Sequence, residues 1–244
     1  MAFLPKILKW IKWEGDLDSF IMWFYGPAGA GKSAIAQIIA EMCGEEMILL
    51  ASFFFSRTDP SRNTVQPLIA TIAYQITLNI PDVRDAILKT IERDPLIFSK
   101  SLAVQFKSLI VEPLQQLVEA GFFNEPNSRR LVIIDGLDEC LDPNVQCNIL
   151  GVLANAHRQH RLPLLFLFAS RPEQHISLAF NTGFLPTATT RIALDESHLP
   201  ANDRLVFCGP RRKLVLAFDV GTTHSGISYR YSTLQTEAIG ADYT

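Results

Sequence analysis

The stretch Gly26-Pro27-Ala28-Gly29-Ala30-Gly31-Lys32-Ser33 places glycines, a lysine and a hydroxyl at the spacing G-x-x-x-x-G-K-[ST]. Residues of these types in this order suit phosphate binding. Glycines let consecutive backbone N–H groups curl inward onto phosphate oxygens. A helix beginning near Lys32 adds the positive end of its dipole. Lys32 would reach the β- and γ-phosphates, and the Ser33 hydroxyl would ligate Mg²⁺. Pro27, Ala28, Ala30 and, one residue beyond the motif, Ala34 complete the expected cradle. The alternative, a glycine-rich turn that holds nothing, is disfavoured by its placement between a predicted strand and a predicted helix.

A second segment, Leu131 to Glu139 (LVIIDGLDE), is an apolar strand ending in acids. A buried strand would deliver Asp135 to the sheet edge beside the phosphate loop, where it can hold the Mg²⁺ shell. Asp138 and Glu139 follow in the loop as candidates to orient or deprotonate an attacking water. Taken alone, acids after a strand are ordinary loop residues; the upstream loop tips the reading to function. Arg171 follows the apolar run Leu164 to Ala169, at the strand end that faces the ligand crevice of an open α/β sheet. It is read either as a sensor of the γ-phosphate or as an exposed loop arginine. Arg57, at the end of another predicted strand, carries the same two readings.

These residues need a scaffold, and the hydrophobic pattern supplies one. Phe20 to Tyr25, Leu49 to Phe55, Leu131 to Ile134, Leu164 to Ala169 and Thr189 to Leu194 read as strands. Their continuous apolar runs suit a parallel sheet covered on both faces. Ser33 to Met42 reads as a helix burying Ile35, Ile38, Ile39 and Met42, with Gly44 as its stop. Thr64 to about Ala120 reads as three helical segments broken near Pro81 and Pro95, the first with Leu68, Ile72, Tyr74 and Ile76 inward. Val145 to Arg158 is a further helix. Strands alternating with helices predict an α/β fold.

Composition narrows the function classes. The 244 residues are 48% hydrophobic and 19% charged with a net charge of −3, a globular chain without the basic footprint of a nucleic-acid binder. Leu4, Ile7, Leu8 and Ile11 fall at helical spacing while Lys6, Lys9 and Lys12 interrupt any export signal. This basic amphipathic helix is expected to pack on its own domain rather than on a membrane. No apolar run is long enough to span a bilayer. Cys43, Cys140, Cys147 and Cys208 show neither zinc nor disulfide spacing; reduced thiols and no export signal suggest a cytoplasmic protein. His157 and His160 are expected on a solvated helix face.

The ordered segments WFYGPAGAGKSAIAQIIAEMC, ASFFFSRTDPSRNTVQPLIATIAYQI, LVIIDGLDEC and FASRPE resemble a NACHT domain of the fungal nephrocystin-3-like type, related to NOD-like receptors, over roughly residues 5 to 207. The resemblance implies a three-layer P-loop NTPase of the STAND signalling group with sheet order 2-3-4-1-5. It also implies a switch between a closed ADP state and an oligomerising ATP state, so self-association or pairing with related NACHT proteins is expected. Lys32 and Ser33 would then bind phosphate and magnesium and Asp135 would anchor the metal. Asp138 and Glu139 would form the acidic pair, and Arg171 the sensor. The match fades near Asn202 to Phe207, before any segment for the family's helical and winged-helix lid. A lid supplies differential affinity, so binding without tight ADP retention is expected.

Leu214 to Tyr231 resembles the first phosphate hairpin of actin-like ATPases, as in seventy-kilodalton heat-shock chaperones. That likeness implies phosphate contacts from Thr222 and Thr223, with Asp219 near Mg²⁺. A lone hairpin cannot surround a nucleotide, so this loop is expected not to work. The expected organisation is a leading helix over 1–18, a NACHT-type domain over 19–207 and the hairpin fragment over 208–244. Expected activity is binding of ATP or GTP with Mg²⁺ and slow hydrolysis. The competing readings are a non-catalytic nucleotide-binding or regulatory module, and a chaperone-type ATPase in the tail, which its missing lobes argue against.

Overall fold

The computed structural model describes residues 3–12, 19–124, 128–194, 213–220 and 225–232. Met1–His198 form one compact unit and Leu199–Thr244 a second.

The first unit opens with α1 (Leu4–Ile11), which buries Ile7, Trp10 and Ile11 and keeps Lys6, Lys9 and Lys12 exposed. The basic helix thus packs on its own domain, as expected. The Trp10 indole N–H donates to the Ser19 carbonyl at 3.1 Å, and Lys12 pairs with Glu46 at 2.9 Å. There follow β1 (Ile21–Tyr25), α2 (Lys32–Glu45), β2 (Leu49–Phe54), α3 (Gln66–Asn79), α4 (Arg84–Arg93), α5 (Leu102–Phe106) and α6 (Glu112–Glu119). Then come β3 (Arg130–Asp135), α7 (Pro143–His160), β4 (Leu164–Ser170), α8 (Gln174–Phe180), α9 (Leu185–Ala188) and β5 (Thr189–Ala193).

The five strands form one sheet in the order β2-β3-β4-β1-β5, and every neighbouring pair is parallel. Parallel pairing forces a crossover between successive strands, and crossovers are right-handed. From β1 to β2 the chain moves one way across the sheet; from β2 through β5 it moves the other. Right-handedness therefore puts α2 on one face and the helices from α3 to α8 on the other. In accord with this, α2 packs on β2, β3 and β4 with α1 beside it, while α3, α5, α7 and α8 contact one another in succession. The result is the three-layer α/β fold expected. Central β4 is buried from Leu164 to Ser170, which explains why its residues read as an unbroken apolar run.

Details differ from expectation where helices pack closely. The buried stripe of α2 is Ala36, Ile39, Ala40 and Cys43, one position round from the predicted Ile35, Ile38 and Met42. Small residues let the helix approach the sheet, and the large flanking side chains close the sides of the contact. Helix α2 also runs through Gly44 to Glu45. On α3, Leu68, Ile69, Ile72, Ala73 and Ile76 are buried, and Tyr74 lies off that stripe. The helical breaks at Pro81 and Pro95 are present, and a π turn over Lys107–Val111 joins α5 to α6. Pro113 lacks an N–H for the Leu109 carbonyl and its ring pushes that carbonyl away, widening the turn. His157 is not on a solvated face: its ring stacks on Phe20 with centroids 3.5 Å apart, because α7 ends over the start of β1.

Strand β2 is an edge, and side chains of α3 occupy its free backbone groups. The Ser52 N–H donates to Gln75 Oε1 at 2.9 Å, and Gln75 Nε2 donates back to the Ser52 carbonyl at 2.8 Å. Asn79 donates to the Leu50 carbonyl at 2.7 Å. Covering an edge in this way removes a template for foreign strands.

In the second unit, β6 (Lys213–Val220) and β7 (Ser225–Ser232) pair antiparallel, with Asp219 opposite Gly226. This hairpin contains both strands predicted there. Thr222 and Thr223 lie outside the described residues.

Candidate phosphate and metal site

Parallel strands put their carboxyl ends on one edge, so Asp135 ends its strand there and Gly26, Arg57, Arg171 and Leu194 follow theirs. The register sets Asp135 level with Ala169, and Tyr25 level with Ser170. Strands β1 and β4 are neighbours whose onward connections cover opposite faces, which is where open α/β sheets form a ligand crevice.

The loop after β1 turns into α2 at Gly31, whose φ of +82° is left-handed. An L side chain is strained there, so the motif glycine is a geometric requirement. A Cβ on Gly29 or Gly31 would meet nothing within 4 Å; the space beside the loop is open. Lys32 Nζ donates to the Gly26 and Pro27 carbonyls at 2.9 and 2.8 Å, spanning the mouth of the loop. Burial lowers its pKa, with Asp138 and Asp135 opposing that shift.

Asp135 is 3% exposed and its Oδ1 has no hydrogen-bond partner. Burial pushes its carboxyl up to about 6, while the Ser33 hydroxyl and the Gly136 N–H bond to it and oppose the shift. A buried carboxylate oxygen with no partner, beside a hydroxyl at a helix start, is a hard-oxygen set that fits Mg²⁺ completed by phosphate and water. No group of three or more His, Cys, Asp or Glu among the described residues is placed to hold a metal unaided.

Gly136, at φ +68°, turns the chain after β3 into a short 3₁₀ stretch over Leu137–Glu139. A Cβ here would also come within 3.0 Å of the Phe55 carbonyl. The turn buries Asp138 and leaves Glu139 half-exposed. Asp138 accepts from the Arg171 N–H at 2.8 Å and from Arg171 Nε at 2.6 Å, one bond to each carboxylate oxygen. These contacts raise the Arg171 pKa further. Arg57 Nη2 donates to the Asp138 carbonyl at 2.8 Å, and the Arg57 N–H donates to Glu139 Oε2 at 3.1 Å. Lys32, Ser33, Asp135, Asp138, Glu139 and Arg171 therefore lie together, and Arg57 joins them. The sequence reading missed Gln146 and His175. Gln146, 2% exposed, donates to the Cys140 carbonyl at 2.6 Å and to that of Asp138 at 3.4 Å. Its amide oxygen pairs with His175 Nε2 at 2.6 Å. A glutamine in the first turns of a helix carries no pattern that separates it from a surface residue.

The family model described as "Nephrocystin 3, N-terminal" matches residues 4–171, a span from α1 through Arg171 that contains the phosphate loop, Arg57, the acidic loop and Gln146. The chain belongs to the nephrocystin 3, N-terminal family. Solved structures resemble this member of the family at low identity. Drosophila ORC bound to poly(dA/dT) DNA and Cdc6 matches with TM-score 0.47 and 10% identity, over 79% of this chain and 28% of that one. The Walker-type ATPase paby2304 of Pyrococcus abyssi matches with TM-score 0.46 and 14% identity, over 79% and 51%. C. elegans PCH-2 matches with TM-score 0.31 and 11% identity, over 79% and 41%. The nephrocystin-type chain thus spans at most about half the length of each of these structures. No curated protein matches its sequence. No helix among the described residues is long and apolar enough to cross a membrane.

Proposed function

We propose that this chain binds ATP or GTP with Mg²⁺ and hydrolyses it slowly, as the NACHT-type nucleotide module of a STAND signalling protein. The observation that carries the reading is the buried Asp135 carboxylate, with one oxygen unpartnered, beside the Ser33 hydroxyl and within the field of Lys32. Loop amides from Gly26 to Ala34 would hold phosphate oxygens, and Lys32 would leave its carbonyl partners for the β- and γ-phosphates. Ser33 and Asp135 would hold Mg²⁺, which neutralises charge on the phosphate oxygens. Glu139, half-exposed beside Asp135, would take a proton from the attacking water as its oxygen adds to the γ-phosphorus and the bond to the bridging oxygen breaks. Arg171 would stabilise charge on the transferred group. The module would occupy 19–207 of a cytoplasmic protein, preceded by the 1–18 helix and followed by the 208–244 fragment. Its family role would be innate recognition or self/non-self signalling through assembly with like chains.

One observation favours a second reading, a nucleotide-holding module without turnover. Both Asp138 oxygens are occupied by Arg171, and Glu139 accepts from the Arg57 N–H, so both acids are engaged. Single-turnover hydrolysis of ATP by the full chain, beside Lys32→Ala and Glu139→Gln, separates the readings. Slow turnover abolished by both substitutions supports the enzyme. Binding by calorimetry with equal background turnover in all three supports the holding module. No heat with either ATP or GTP in Mg²⁺ would remove both.

A further inference from the structure

Two loops at the site's edge are tied twice. The turn after β4 meets the acidic loop through Arg171 and the Asp138 carboxylate. Four residues on, His175 at the start of α8 meets Gln146, which in turn holds the carbonyls of Asp138 and Cys140. Hydrogen-bond logic fixes the direction of this relay. Gln146 Nε2 faces two carbonyls and must donate, so its Oε1 must accept, and His175 Nε2 must carry the hydrogen. At 2% exposure Gln146 has no water to replace these partners. The Cys147 thiol, 3.7 Å from the His175 carbonyl, adds a weak third tie.

We propose that Gln146 and His175 are positioning residues that lock the acidic loop, Leu137–Cys140, and the arginine turn, Arg171–Glu173, into a single unit. The proposal deepens the triphosphatase reading and rests on it for its catalytic consequence, though the brace itself does not. Neither residue is among those assigned to hold the triphosphate; their partners are the Asp138 and Cys140 carbonyls and each other. Their effect is to keep Asp138, Glu139 and Arg171 at fixed separations, so that the arginine cannot shift toward a ligand without carrying the acids along. A misplacement of about 1 Å in such groups costs about 100-fold in rate.

Amide hydrogen exchange on the full chain tests the brace without nucleotide. The reporters are the N–H groups of Glu139, Cys140 and Arg171, which bond to the Gly136 carbonyl, the Leu137 carbonyl and the Asp138 carboxylate. Gln146→Leu and His175→Ala should speed exchange at all three together by roughly 10-fold or more, leaving remote α3 amides unchanged. His175→Gln, whose amide still donates at the same reach, should restore protection. His175 is half-buried, so its variants remain informative if Gln146→Leu fails to fold. Exchange raised in one loop alone, raised uniformly, or unchanged would overturn the proposal, as would failure of His175→Gln to rescue. With ATP and Mg²⁺, His175→Ala should lower kcat by about 10-fold with KM within about twofold, and His175→Gln should recover it. A parent chain whose Gly29–Ser33 amides gain no protection from ATP sinks the triphosphatase reading, while the nucleotide-free exchange still decides the brace.

Discussion

Arg171 grips Asp138 with two donors, its own backbone N–H and its guanidinium, one on each carboxylate oxygen at 2.8 and 2.6 Å. The partners are unequal: the acid side chain is 3% exposed and the arginine 36%. Desolvating a carboxylate this fully is costly unless its oxygens are bonded. Arg171→Ala leaves only the backbone donor. The expected destabilisation is about 2 kcal/mol, below the roughly 3–5 of a fully buried pair because solvent screens the guanidinium. Adding Asp138→Asn should recover most of that loss. Urea unfolding of the single and double variants measures both; a single-variant loss under about 0.5 kcal/mol would place the pair with ordinary surface bridges.

Asp135 makes stability depend on pH in a direction opposite to most carboxylates. Its folded pKa of about 6 lies above the ordinary 3.8, chiefly through burial. Between those values the folded chain keeps a proton that the unfolded chain has released. Stability from this group is therefore full below about pH 4 and is lost as pH rises through about 6. At about 1.4 kcal/mol per pKa unit, Asp135→Asn should be about 2–3 kcal/mol more stable than the parent at pH 7.5 and no more stable at pH 4. Mg²⁺ competes with that proton, so metal-dependent stabilisation of the parent should weaken below pH 6 and vanish in the variant. Thermal melts across pH, with and without Mg²⁺, decide the matter.

The α/β alternation was legible because parallel strands buried on both faces leave long apolar runs, and Leu164 to Ala169 is such a run. The phosphate loop and the acids after Leu131–Ile134 were legible because their chemistry demands particular residues at short spacing. Strand order came only with the family resemblance, since nothing in the strand residues says which neighbours which. The buried face of α2 was misplaced by one position because Ala36 and Ala40, weak apolar signals, make the close contact while Ile35 and Ile38 flank it. Gln146 and His175 stayed hidden for a different reason. Their partners are backbone carbonyls and each other, brought together across 29 residues by α7 and β4, and no local pattern records such a meeting.

His157 gives a second, oppositely signed pH effect at the far edge of the sheet. Burial, with Arg129 nearby, lowers its pKa from 6.5 to about 4, and its ring stacks on Phe20. Below pH 6.5 the unfolded chain takes up a proton that the folded chain refuses. Its stability is therefore present above 6.5 and lost as pH falls to about 4. His157→Phe keeps an aromatic ring against Phe20 and removes the titration. The variant should match the parent at pH 7.5 and exceed it by about 1–2 kcal/mol at pH 4.5, discounted for partial exposure. A constant difference across that range, measured by denaturant unfolding, would mean that the imidazole charges without penalty.

Gln75 guards the open edge of β2 through paired bonds to Ser52, accepting from the N–H and donating to the carbonyl. A glutamine amide here imitates a neighbouring strand, presenting an acceptor and a donor as a peptide unit would. Gln75→Leu removes both partners at once from a half-buried position. Each unmatched backbone group costs about 1 kcal/mol or more, so a loss of about 2 kcal/mol is expected. Two further consequences separate edge protection from simple packing. Amide exchange should rise at Ser52 while the inner strand β4 stays protected, and the variant should associate at concentrations where the parent does not. Gln75→Glu gives the contrasting arm: its carboxylate still accepts from the Ser52 N–H but faces the carbonyl without a donor. It should keep the Ser52 amide protected, lose stability, and resist association because the edge then carries charge. Light scattering and exchange on the two variants together would show the edge role to be wrong if Gln75→Leu stayed as dispersed as the parent.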